Sequence, residues 1–173
     1  MPDIFVNLAK KTIKIYLKEN RLIEPPPDLP PEMFKNKAGV FVSLHKKNGE
    51  LRGCIGTFLP TKENIAQEII HNAISAAFHD PRFYPITKDE LDDLEISVDV
   101  LSEPEPIDSI DKLNVKKYGI IVKTDDGRTG LLLPDIEDVE TVDEQILIAC
   151  QKAGINPAKE KFSIFRFTVE RHK

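Results

Sequence analysis

The chain has 173 residues, 31% of them charged and 40% hydrophobic, with no tryptophan and a formal net charge of −5. That length suits one domain with a proper core, and the acidic balance argues against sequence-independent binding of nucleic acid, which needs a basic surface. Two cysteines, Cys54 and Cys150, are too few for a disulfide framework, and no stretch has the make-up of a signal peptide or membrane span, so the expectation is a soluble cytoplasmic protein with free thiols.

From Asp3 to Asn20, the residues Ile4, Phe5, Leu8, Ile13, Tyr16 and Leu17 recur at helical spacing while lysines fill the other face, which predicts an amphipathic helix. Pro25-Pro26-Pro27 and Pro30-Pro31 make residues 22–31 a stiff extended connector rather than a flexible linker. Two β-prone runs, residues 40–45 and 51–57, then flank Asn48-Gly49. This pattern predicts a tight two-residue hairpin in which both turn residues take φ > 0. In that register Ser43 faces Cys54, His45 faces Arg52 and Lys47 faces Glu50. Alternation puts Val42, Leu44, Leu51, Gly53 and Ile55 on one apolar face and gathers Ser43, His45, Arg52 and Cys54 on the other.

Thr61 is the expected N-cap of a second helix, whose stripe of Ile65, Ile69, Ile70, Ala73, Ile74, Ala77 and Phe78 marks it for deep burial. The helix must stop before Asp80-Pro81-Arg82-Phe83, because proline disfavours helical geometry in the residue preceding it. A carboxylate at a helix C-terminus opposes the macrodipole, so Asp80 calls for a cation, Arg82 or Arg52, unless it is a plain Asp-Pro turn residue. Thr87 and Glu90 form a capping box for a short helix, and residues 94–101 alternate as a half-buried strand that Pro104 and Pro106 end. Residues 119–124 and 129–133 make a second hairpin around Asp126-Gly127, and Thr141 with Glu144 opens a helix running to Ala153 and closed by Gly154. Residues 161–170, apolar on both faces, read as one last central strand. Tight hairpins interleaved with helices predict an α+β fold, a mainly antiparallel sheet with helices packed on it. No internal repeat is visible in the sequence.

Motifs for nucleotide loops, dinucleotide binding, zinc proteases or paired cysteines are missing, and the four histidines are not spaced as ligands, so no metal or cofactor is expected. Gly53-Cys54-Ile55-Gly56 has the spacing of a nucleic-acid GxxG loop but lies on a strand with apolar residues between the glycines. The chemistry that remains centres on Cys54. A neighbouring cation favours the thiolate, the form that acts as nucleophile, and Arg52 and His45 both stand near enough in the expected register. Cys54 with His45 as base is the candidate catalytic pair; Ser43, Arg52, Gly53, Gly56, Asp80 and Arg82 are the candidate binding residues. The competing reading makes Cys54 a small inert hydrophobe and the two glycines mere room for a helix. Cys150 falls on an apolar helix face and reads as structural, and His71 and His79 read as helix-surface or helix-end residues.

Gly39-Val-Phe-Val-Ser-Leu44, Leu51-Arg-Gly-Cys-Ile-Gly-Thr57, Asn72-Ala-Ile-Ser-Ala-Ala77, Asp80-Pro-Arg-Phe83, Gly130-Leu-Leu-Leu-Pro134 and Lys152-Ala-Gly-Ile155 together resemble the AMMECR domain family, in family order over nearly the whole chain. The tail is most similar to the bacterial and archaeal branch termed AmmeMemoRadiSam system protein A. The resemblance implies a single domain over residues 1–173, with two unequal lobes, the smaller at roughly residues 104–140, and a groove between them. It implies association with a Memo-like protein and a radical SAM enzyme, around an unknown small-molecule or protein substrate. A reaction is not implied, which leaves two expectations: a site-bearing protein centred on the Leu51–Gly56 hexamer, or a non-catalytic accessory module that docks its companions there.

Overall fold

A computed structural model describes residues 3–173. Five α-helices are found among them: α1 (Ile4–Glu19), α2 (Pro31–Lys35), α3 (Ile65–Phe78), α4 (Lys88–Leu91) and α5 (Val142–Ala153). The strands are β1 (Val40–Lys46), β2 (Leu51–Thr57), β3 (Leu94–Leu101), β4 (Glu105–Pro106), β5 (Gly119–Lys123), β6 (Thr129–Leu132), β7 (Ser163–Phe167) and β8 (Val169–His172). They form two four-stranded antiparallel sheets, ordered β2-β1-β3-β8 and β4-β7-β5-β6, so the fold is α+β. The chain divides into two compact units, one running up to Leu101 and taking in Glu170–Lys173, the other being Ser102–Val169.

In the first unit, alternation sends Val40, Val42, Leu44, Ile96 and Val98 to one face of the sheet, where they are buried with α1 and α3. The Asp3 carboxylate accepts from the amides of Phe5 and Val6 and so caps α1, whose Leu8, Ala9 and Ile13 are buried. α3 carries Ala73, Ala76 and Ala77 fully inside, small enough for its backbone to lie close against the sheet. Its N-cap is Asn64, whose side chain accepts from the Gln67 amide, and not the expected Thr61. Thr61 instead serves Glu68, a buried carboxylate that accepts from the Thr57 and Thr61 hydroxyls and from the amides of Thr61 and Lys62. Burial opposes the charge of Glu68, but these donors outweigh it and hold the carboxyl below its ordinary range.

The second unit is a smaller version of the same idea, with α5 packed on β5 and β6 around Leu113, Ile120, Val122, Leu132, Ala149 and Cys150. Thr141 and Glu144 make the expected capping box, and Gly154 closes α5 in the left-handed region. The Thr87–Glu90 box of α4 is also present.

Beyond the irregular connector, residues 31–35 fold as α2, an element the sequence reading did not include, because Pro31 sits at the first helical position, where its missing N–H costs nothing. One expectation needs correction. The last apolar run is not one strand: it breaks at Thr168, so that β7 lies inside the second sheet and β8 forms the edge of the first. No helix among the described residues is long and apolar enough to cross a membrane.

Candidate functional site

The β1–β2 hairpin is paired as expected at one end and shifted at the other. Val42 faces Ile55, Ser43 faces Cys54 and Leu44 faces Gly53, but His45 faces Leu51 and leaves Arg52 as an extra, bulged residue. The turn explains the shift. Only Gly49 has positive φ; the Gly49 amide donates to Lys46 O and the Lys46 amide to Glu50 O, making a three-residue loop rather than the two-residue turn. The extra loop residue and the bulge offset one another, so the Ser43–Cys54 pair survives while the His45–Arg52 and Lys47–Glu50 pairs do not. Leu51 leaves the apolar face for the side of His45, and Glu95 on β3 flanks His45 on its other side.

Cys54 is half-buried, and its sulfur accepts a hydrogen bond from the Ser43 hydroxyl at 3.2 Å; the partner is Ser43 and not His45. β2 is the outer strand of its sheet, so the Cys54 N–H and C=O point off the edge. Asp80 and Arg82 satisfy both. The Cys54 amide donates to Asp80 Oδ2 at 3.0 Å, and Arg82 Nη2 donates to Cys54 O at 3.2 Å. Arg82 also donates from Nε and Nη2 to the two Asp80 oxygens at 3.0 and 2.8 Å, and its own amide donates to Oδ1. The Asp80 side chain is 2% exposed, and the Arg82 guanidinium beside it holds its carboxyl well below the usual carboxylate range. Of the two cations weighed for Asp80, the structure selects Arg82.

Arg52 is committed elsewhere. Its side chain is 11% exposed, with Nε donating to Glu90 Oε1 at 2.9 Å and Nη1 to Tyr84 O at 2.8 Å. The bulged arginine thus clamps the loop that follows Asp80 to α4. Glu90 and Tyr84 escaped sequence reasoning, because Glu90 already had a capping role and the Tyr84 contact uses its backbone. Gly53 and Gly56 each make room for an intramolecular neighbour. A Cβ on Gly53 would collide with the Ala76 carbonyl of α3, and one on Gly56 with the Phe41 ring. Among the described residues no three His, Cys, Asp or Glu side chains converge on a possible metal position. Cys150 is fully buried, which pushes its thiol up.

The second hairpin shows which of these features the architecture requires. There Ile120 faces Leu132, Ile121 faces Leu131 and Val122 faces Gly130, and β6 is again the outer strand. Gly130 lies under the Ala149 carbonyl of α5 as Gly53 lies under that of Ala76. Lys152 Nζ donates to the edge carbonyl of Leu131 at 2.7 Å, as Arg82 does to that of Cys54. The glycine and the cation on the edge are therefore shared. The Ser43–Cys54 pair, which stands where Ile121 and Leu131 do, the bulged Arg52 and the Asp80 carboxylate belong to the first hairpin alone.

Comparison with known proteins agrees over almost the full length. The AMMECR1 family model matches residues 6–172. A Thermotoga maritima protein is 54% identical over 169 residues, covering 98% of this chain and 97% of that protein. A Clostridium acetobutylicum protein is 51% identical over 99% of this chain, which spans only 36% of that longer polypeptide. The crystal structure of an uncharacterized protein from Pyrococcus horikoshii superposes with a TM-score of 0.88 at 38% identity, covering 96% of this chain and 88% of that one. The chain belongs to the AMMECR1 family.

Proposed function

We propose that the protein carries a ligand or substrate site at the Ser43–Cys54 pair on the edge of its first sheet, and that it works there with a Memo-like protein and a radical SAM enzyme in the cytoplasm. One observation carries the site: the same register position in the second hairpin holds Ile121 and Leu131, so a hydroxyl hydrogen-bonded to a half-exposed thiol is not what the hairpin–helix scaffold needs. Asp80 and Arg82 fix the peptide on both sides of the Cys54 Cα, so the thiol is offered from a rigid strand, the arrangement that favours precise contact with a substrate. The Ser43 hydroxyl donates to the Cys54 sulfur, and His45, two residues along the same face of β1, is the candidate base.

Iodoacetamide labelling of the native protein from pH 5 to 9, with each cysteine quantified by peptide mass, tests this. Fast labelling of Cys54 against slow labelling of buried Cys150 supports the reading; equally slow labelling of both removes it.

A second reading, a non-catalytic accessory module, has its own support. Arg52, Asp80 and Arg82 spend their charges on the fold, and the Clostridium relative joins its matching region to a longer polypeptide. Cys54→Ser that binds the Memo-like protein as tightly as the wild type would favour this reading.

A further inference from the structure

We infer that the Ser43–Cys54 site selects a cationic substrate over an anionic one, and that Glu95 on β3 sets this preference; the existence of the site rests on the function proposed above.

The register of the first sheet builds the surface. Cys54 on β2 faces Ser43 on β1, and Ser43 in turn faces Ser97 on β3, so a thiol and two hydroxyls form one row across three strands. Two residues along, on the same face, His45 stands opposite Glu95. Val42, Leu44, Ile96 and Val98 point the other way, into the core. Ser43, His45, Cys54 and Ser97 are half-buried and Glu95 is exposed. Neither the Ser97 hydroxyl nor the His45 ring has a hydrogen-bond partner among the described residues, so both are open to a ligand.

Charge decides which kind of ligand fits. Of the charged side chains on these three strands, Lys46 pairs with Glu50, Arg52 with Glu90 and Asp99 with Arg171. Glu95 has no ion-pair partner among the described residues. Lys47, close enough to interact with Glu95, is committed to Asp93 at 2.6 Å. Beside the thiol itself, Arg82 is matched by Asp80. An anionic ligand on this face would meet no unspent strand cation and one unspent carboxylate, and such a repulsive element is a common source of specificity.

Two strand spacings and two residues along β3 separate Glu95 from Cys54, about 12 Å between backbones. The substrate that spans them is extended. Its ammonium or guanidinium group lies at Glu95, well away from the part that meets the thiol, and the chain between crosses Ser43 and His45.

The test uses three methanethiosulfonate reagents on the native protein: neutral methyl, cationic trimethylammonium-ethyl and anionic sulfonatoethyl. Each leaves a mixed disulfide on Cys54 that peptide mass quantifies, and each rate is taken relative to that of 2-mercaptoethanol. At about 10 mM salt, where screening is weak, the cationic-to-anionic rate ratio is expected to fall about fivefold on Glu95→Gln, the scale of one charge acting through water at this range. Glu32→Gln makes the same change of net charge on exposed α2, away from this face, and is expected to keep the wild-type ratio. Equal ratios in wild type and Glu95→Gln overturn the inference alone, as does an equal fall in Glu32→Gln. A Cys54 that even the neutral reagent leaves unmodified overturns the proposed site and the inference with it.

Discussion

The two hairpins of this protein solve one packing problem and differ in what they add to it. In each, a glycine turn joins two antiparallel strands, and the second strand is the outer one of its sheet. In each, a glycine on that strand lies under a helix carbonyl, Gly53 under Ala76 and Gly130 under Ala149. A cation caps an edge carbonyl in both, Arg82 on Cys54 and Lys152 on Leu131. An exposed strand edge invites pairing with other chains, and charged side chains on it are a common defence. What recurs is therefore architecture. The thiol–hydroxyl pair, the bulged arginine and the carboxylate under Cys54 occur once, on one edge, and they are where the comparison points for function.

The largest effects should come from the shared feature. Gly53→Ala and Gly130→Ala each force a methyl group against a helix carbonyl that cannot turn aside, and each is expected to cost about 3 kcal/mol in urea unfolding. If one of the pair proved harmless, the equivalence of the two hairpins would break.

Asp80→Ala should cost about 2–3 kcal/mol, since it strands the Cys54 amide and leaves the Arg82 guanidinium without its buried partner. The pH dependence has a definite sign. The Asp80 carboxyl is held low in the folded state, while an unfolded aspartate titrates at about 3.9. Its contribution is thus complete above roughly pH 5 and drains away as the pH falls toward the depressed folded value. Unfolding followed from pH 6 to 3 should show wild type losing the advantage that Asp80→Asn never had. A constant gap between them over that range would show that the carboxylate charge is not what matters.

Much of this fold was legible in the sequence because the signals were local. The Leu94–Leu101 alternation, the Thr87–Glu90 and Thr141–Glu144 boxes and the Gly154 cap each predict an element that forms where expected. The misses lie where a partner outside the local pattern decided the outcome. Thr61 has the chemistry of an N-cap, but Glu68 captured it. The break at Thr168 sends β7 and β8 to different sheets, and no periodicity over residues 161–170 records such a choice. For the site, the Ser43–Cys54 pair and the Asp80–Arg82 pair were legible. The bulge at Arg52 was not, because an extra residue in a strand leaves no local mark, and with it went the expected pairing of Arg52 with His45.

The central claim is that Ser43 and Cys54 are surplus to the architecture. Replacing both, as Ser43→Val with Cys54→Val, removes donor and acceptor together and puts hydrocarbon where the second hairpin already has it, so neither group is left unsatisfied. Equilibrium unfolding of this double variant in urea is the most direct measurement. The account predicts a stability within about 1 kcal/mol of wild type. A loss of about 3 kcal/mol or more, the scale of a disrupted core, would contradict it and return the pair to the scaffold.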